Sequence, residues 1–139
     1  MQYFFIDPIS ALTTHLSASE ANEFLNMAMA DMMALVQELD ISFYHINHLN
    51  NSSSDKDHGE GARVRAGQFA GSRAMWRFSH NLIGLERNQQ EEDDDKKNKV
   101  TVRILKNRID GSKTGTFPLN YNTESGQLEE PTINLGGLM

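Results

Sequence analysis

The sequence contains no cysteine, which excludes a disulfide framework, a thiolate metal site and a cysteine nucleophile. No apolar run approaches the roughly 18 residues of a membrane span, and no basic-then-apolar leader opens the chain. Membrane and secretion readings are therefore set aside, and a cytoplasmic setting is expected. The first 55 residues carry seven acidic groups and neither Lys nor Arg. A GxxxxGK[ST] phosphate loop is also missing. Gly111-Ser112-Lys113-Thr114 breaks the required Gly-Lys adjacency, and Gly115 and Pro118 follow where a helix should open.

What is present has the profile of one folded domain. At 139 residues there is room for a single core, and 38% apolar against 23% charged residues suits a globular chain better than a disordered one. A net charge of −6 argues against a polyanionic partner until its distribution is read. All 13 basic groups fall between residues 56 and 113, against nine acidic ones, and five of those nine form the single run Glu91 to Asp95. Outside that run the middle of the chain carries a basic surplus able to meet phosphates.

Tyr3 to Ile6 is a short apolar and aromatic run that stops at Asp7-Pro8, and it reads as a strand. Ser17 and Glu20 have capping-box spacing, and Leu25, Met29, Met32, Val36 and Leu39 recur with helical period, so a helix is expected over about 19–39. Ile41 to Ile46 is again apolar and β-prone. Strand, helix and strand within about 45 residues is the size of a parallel βαβ unit, and both strands are expected to be buried on both faces. Residues 50–66 are polar and read as a mobile loop. Gly71 to His80 reads as a short helix. Asn81 to Arg87 and Val100 to Lys106 read as strands joined by a charged loop over 88–99, and Thr114 to Tyr121 with Asn122 to Gly126 as a closing hairpin. The class expected is α/β, with one domain over 1–130 and a flexible tail over 131–139.

Four groups of residues could carry chemistry. Asp7 stands at the C-terminal end of a strand, where open α/β sheets gather ligands and where a carboxylate can hold the water shell of a nucleotide-bound Mg²⁺. The same pattern also arises where an aspartate simply begins a turn. His48 follows the second strand and shares a rim with Asp7 if the two strands are parallel; the plainer alternative is a surface histidine. His45 and His48 do not make a metal pair, because their odd separation on extended chain points them to opposite faces. Lys106 and Arg108 lie two apart on extended chain, so both are expected on one face, where a guanidinium can neutralise charge on a phosphoryl group. Lys56, Arg63, Arg65, Arg73 and Arg77 suit tracking of a single-stranded nucleic-acid backbone, whereas the nearby Trp76 and Phe78 are expected to be structural.

Taken in order, Phe4-Phe5-Ile6-Asp7, His45-Ile46-Asn47-His48-Leu49, Gly71-Ser72-Arg73-Ala74, Leu85-Glu86-Arg87-Asn88-Gln89-Gln90 and Val102-Arg103-Ile104-Leu105-Lys106-Asn107-Arg108 resemble a known pattern. It is that of the C-terminal part of the RecA-like ATPase domain of DnaB-type replicative DNA helicases, and within them of the primase-helicases of short-tailed phages. The resemblance spans roughly residues 2–130.

The resemblance implies a RecA-like, mostly parallel sheet flanked by helices with a C-terminal antiparallel hairpin. The domain is expected to be incomplete, since the P-loop strand, its lysine and the upstream catalytic glutamate are not in the sequence. By resemblance Asp7 matches the Walker B aspartate that organises Mg²⁺, and His48 the γ-phosphate sensor. Arg108 matches the arginine finger given to a neighbouring subunit's nucleotide, with Lys106 beside it. Three loops, 13–22, 50–66 and 88–99, are implied to face a central channel. The implied activity is ATP (or other NTP) hydrolysis with Mg²⁺, coupled to translocation on single-stranded DNA and unwinding by a hexameric ring. The isolated chain is expected to be inactive, with a complementary N-terminal P-loop fragment as a possible partner. A phage origin would place it in the host cytoplasm. The competing expectation is an inert RecA-like module that grips single-stranded nucleic acid or scaffolds a ring.

Overall fold

The computed structural model describes residues 1–51, 56–111 and 113–131. Its elements in chain order are β1 (Gln2–Ile6), a 3-10 turn (Ile9–Thr13), α1 (Ala18–Glu38), β2 (Ile41–His45), a second 3-10 turn (Ala66–Gln68), α2 (Ser72–Phe78), β3 (Asn81–Arg87), α3 (Asp94–Lys97), β4 (Lys99–Asn107), β5 (Gly115–Tyr121) and β6 (Leu128–Glu129). The tail expected from 131 onward lies, past Pro131, outside the described residues.

Helix α1 begins where the capping box demands. The Ser17 hydroxyl accepts the Glu20 N–H at 3.4 Å and the Glu20 carboxylate accepts the Ser17 N–H at 2.9 Å, which satisfies two donors that the first helical turn leaves open. These hydrogen bonds from Ser17 hold the Glu20 carboxyl below its usual range. From the apolar stripe, Leu25 and Met29 reach full burial. They meet Ile9, Val64, Phe69, Ala74, Met75 and Leu82 in one core, so α1, α2 and β3 share their packing. Gly71 makes the closest approach. It opens α2 at φ +67, and a Cβ there would lie 2.6 Å from Leu25 Cδ1.

Two sheets result. β1 and β2 are parallel, in register from Gln2↔Ile41 to Ile6↔His45, as the βαβ reading requires. β3, β4, β5 and β6 form an antiparallel sheet in that order, with a register shift between Leu82 and Ile83. Along β3, Leu82, Gly84 and Glu86 face inward and the residues between them outward.

Four expectations are corrected. The β1 strand is not buried on both faces: Tyr3 is 55% and Phe5 71% exposed. An aromatic run reads as buried because parallel sheets ordinarily carry layers on both sides. Here the rings cover one another instead, Phe5 against Tyr44 at 4.9 Å and Phe4 against Phe43 at 5.4 Å. The 50–66 segment is not a free loop along its described second half. Ala62 and Val64 are buried, Gln89 N–H donates to Gly59 O at 2.8 Å, and Glu60 bridges Asn88. Ser52 to Asp55 of that segment lie outside the described residues. Finally, 88–99 contains α3, whose N-cap Asp93 accepts the N–H groups of Asp95 and Lys96, so part of the acidic run serves a helix start. Likewise, the last five residues of 13–22 are the first turn of α1.

Candidate functional site

The parallel register brings the chain out of β1 and β2 on the same edge, so Asp7 and His48 share one rim. Both side chains are exposed. Their backbones are fixed by one residue between them. Ile46 N–H donates to Ile6 O at 2.9 Å and Ile46 O accepts Ile9 N–H at 3.0 Å, so the Asp7-Pro8 turn bulges out between two hydrogen bonds to a single partner. Ile9, the next residue inward, is fully buried and plugs the turn into the core.

The His48 segment is pinned from the other side. Asn50 N–H donates to Gln68 O at 2.6 Å, Ala70 N–H donates to His48 O at 3.3 Å, and Asn47 Nδ2 donates to Ala70 O at 2.9 Å. Asn47 Oδ1 and His45 Nδ1 are buried without a hydrogen-bond partner among the described residues. Burial also lowers the His45 pKa. Its ring stacks on Phe43 at 6.0 Å, away from a ligand role. No cluster of three or more His, Cys, Asp or Glu suited to a metal ion occurs among the described residues. Asp7 is an exposed carboxylate just past a strand end, with the chemistry to hold an ion that arrives with its own phosphate and water ligands.

Lys106 and Arg108 separate. β4 ends at Asn107, so strand alternation does not carry through to Arg108. Lys106 is buried: its ammonium donates to Trp76 O and lies 5.3 Å from the centre of the Trp76 ring. Burial, with the nearby Arg108 charge, lowers its pKa. Arg108 is exposed, and its N–H donates to His80 O at 2.9 Å, which moors it beside the start of β3. Lys106 thus closes α2 onto β4, and Arg108 is the side chain left facing outward. Of the two aromatics expected to be structural, Trp76 is 47% exposed and engages that lysine, and Phe78 packs against the core.

Among the basic residues, Arg63 and Arg65 are exposed on either side of the buried Val64. Arg73 sits elsewhere, lining a groove between α1 and α2 with Arg77, Asn26 and Met27. Lys56 is exposed in the described part of its segment.

One constellation was not singled out from the sequence. Glu86 Oε1 accepts Val64 N–H at 2.7 Å and Arg103 Nε at 2.5 Å, while Oε2 accepts Arg103 Nη2 at 3.0 Å. Burial pushes the Glu86 carboxyl up, but the Arg103 and Val64 hydrogen bonds and the charges of Arg103 and Arg63 outweigh it, leaving it below its usual range. The signal was available: Ala62-Arg63-Val64-Arg65 alternates apolar and basic, the pattern of an extended segment lying on a sheet. Arg87 is similarly tied down, donating to Lys97 O and Asn98 Oδ1 and lying 4.5 Å from the Tyr121 ring centre.

This arrangement shares the RecA-like fold of solved helicase ATPase domains. An ATPase domain whose structure has been solved superposes with a TM-score of 0.69 at 20% identity, over 93% of this chain and 44% of that one. A DnaB-like replicative helicase, solved in a study of its interactions with primase, superposes at 0.66 and 17% identity, over 94% of this chain and 29% of its own. In sequence the chain is similar to the DNA helicase/primase of Enterobacteria phage T3, 33% identical over 132 residues. That match covers 95% of this chain and 23% of the relative, so the chain spans about a quarter of the relative's length. No protein-family model matches the chain.

Proposed function

We propose that this chain is part of a ring-shaped replicative DNA helicase that couples NTP hydrolysis to movement on single-stranded DNA in the host cytoplasm. The observation that carries the proposal is the shared rim: β1 and β2 run parallel and in register, so Asp7 and His48 both follow strands that end at one edge, and Ile46 is hydrogen-bonded on either side of the Asp7 turn. Arg108 directly follows β4 of the other sheet and is exposed. That division suits pockets shared between adjacent subunits, Asp7 and His48 lining one and Arg108 reaching the next.

The exposed carboxylate and imidazole at this rim suit a Mg²⁺–nucleoside triphosphate, whose phosphoanhydride would be the bond hydrolysed. Asp7 would hold the ion through its water shell. His48 would face the terminal phosphate, and hydrogen bonds tie its segment to the backbone at 68–70, next to the basic segment. Arg108 neutralises charge on a neighbour's phosphoryl group, and Arg63, Arg65, Arg73 and Lys56 meet the DNA backbone. Lys106 has a supporting role, since its ammonium is engaged by Trp76.

The P-loop lysine and catalytic glutamate come from a complementary polypeptide segment in this reading. The exposed aromatic faces of β1 and β2 support it, because a parallel pair of this kind ordinarily has strands and helices around it. The test is reconstitution with a P-loop-bearing N-terminal segment, followed by DNA-stimulated NTPase assays. The chain alone is expected to be inactive and the reassembled protein active, with Arg108→Ala lowering turnover by about 10³-fold or more. Turnover by the chain alone, or full activity of the Arg108 variant, contradicts the proposal. DNA binding without any restored turnover favours an inert nucleic-acid-binding module.

A further inference from the structure

We infer that Glu86 is a positioning residue for nucleic-acid binding, a buried carboxylate that holds the Arg63–Arg65 segment at a fixed register on the antiparallel sheet. The inference rests on the reading of Arg63 and Arg65 as phosphate contacts and deepens it.

Glu86 has a side chain 8% exposed and spends all its hydrogen bonding on two partners from different parts of the chain. One is the Val64 N–H, between the two exposed arginines; the other is the Arg103 guanidinium, held by a two-pronged pair. Arg103 is fixed in turn, because it sits opposite Gly84 in the β3–β4 ladder. Gly84 is also where Val64 lands: a Cβ on Gly84 would lie 2.8 Å from Val64 Cβ and Cγ1. The Val64 backbone is thus held at Glu86 and its side chain at Gly84, two positions apart on the inward face of β3. A one-residue slip would turn Val64 outward and drive Arg63 or Arg65 inward. The carboxylate is what specifies the register, since a charge-assisted acceptor this buried cannot be left empty without a large penalty.

Breaking one side of the pair strands a buried charge, so the decisive variant removes both. Glu86→Leu with Arg103→Met replaces the pair by apolar groups of similar volume and leaves only the Val64 N–H without its acceptor. On the full 139-residue chain, amide exchange at residues 62–65 is read beside binding of a labelled dT20 oligonucleotide over a salt series. The double variant is expected to exchange at Val64 at least about tenfold faster while β4 amides keep their protection. It is also expected to bind dT20 about tenfold more weakly, with a salt slope reduced by one to two phosphate contacts, as in Arg63→Ala with Arg65→Ala. Asn122→Ala, a stability control that removes the side-chain cap of the β5–β6 turn, is expected to change neither.

Unchanged Val64 exchange, or unchanged affinity and salt slope in a folded double variant, overturns the inference. So does an equal loss in Asn122→Ala, which would reduce the effect to stability. If the wild-type chain fails to bind dT20 at all, the DNA-binding reading falls, and the exchange measurement still decides whether Glu86 sets the register.

Discussion

His45 shows how one side chain converts burial into pH dependence. Burial lowers its pKa, so the folded chain takes up a proton less readily than the unfolded chain. Unfolding then binds a proton on the acid side. The associated stability is complete above the usual histidine value of 6.5 and is lost as the pH falls through the lower folded value. His45→Leu, which also removes the unpartnered Nδ1, should flatten urea-derived stability over that interval while the wild type declines. An equally steep decline in the variant would assign the dependence elsewhere. Among the charged residues, sequence spacing could place Asp7 and His48 because the strand register follows from the βαβ pattern. It could not place Lys106, whose fate depends on an indole and a carbonyl thirty positions earlier in the chain.

The elements were legible wherever a local rule decided them. The Ser17–Glu20 box sets the start of α1, and the helix spans Ala18–Glu38 against an expected 19–39. Period-two alternation marks β3, and the strand is found over Asn81–Arg87 as read. Polar composition misled at 50–66, where two small apolar residues, Ala62 and Val64, secure a stretch whose Arg63 and Arg65 are exposed. At α1–α2 the decisive residue is Gly71, because left-handed backbone and a side-chain approach of 2.6 Å coincide there. Gly71→Ala should lower stability by about 2 kcal/mol, from backbone strain and overpacking against Leu25. A urea series would show a lower midpoint with the slope preserved. Wild-type stability in the variant would mean that Leu25 yields at no cost.

For the molecule as a whole, the exposed aromatic surface of β1 and β2 is the feature that composition hid most completely. Such a surface and an unpaired strand edge favour association. Phe5→Lys with Tyr44→Glu keeps an opposed pair across the ladder and removes much of that surface. The isolated variant should stay monomeric to higher concentration by analytical ultracentrifugation and bind less of a hydrophobic dye, yet fail to assemble with a P-loop segment. Assembly at wild-type affinity would show that this face is not where the segment docks. The two sheets share no strand, and the Leu49–Phe69 bridge is a single backbone pair outside both. A small hinge between the halves would therefore shear interdigitated side chains rather than tear a ladder. Any relative displacement of the guanidinium after β4 and the carboxylate after β1 would thus have to pass through the core that both sheets share.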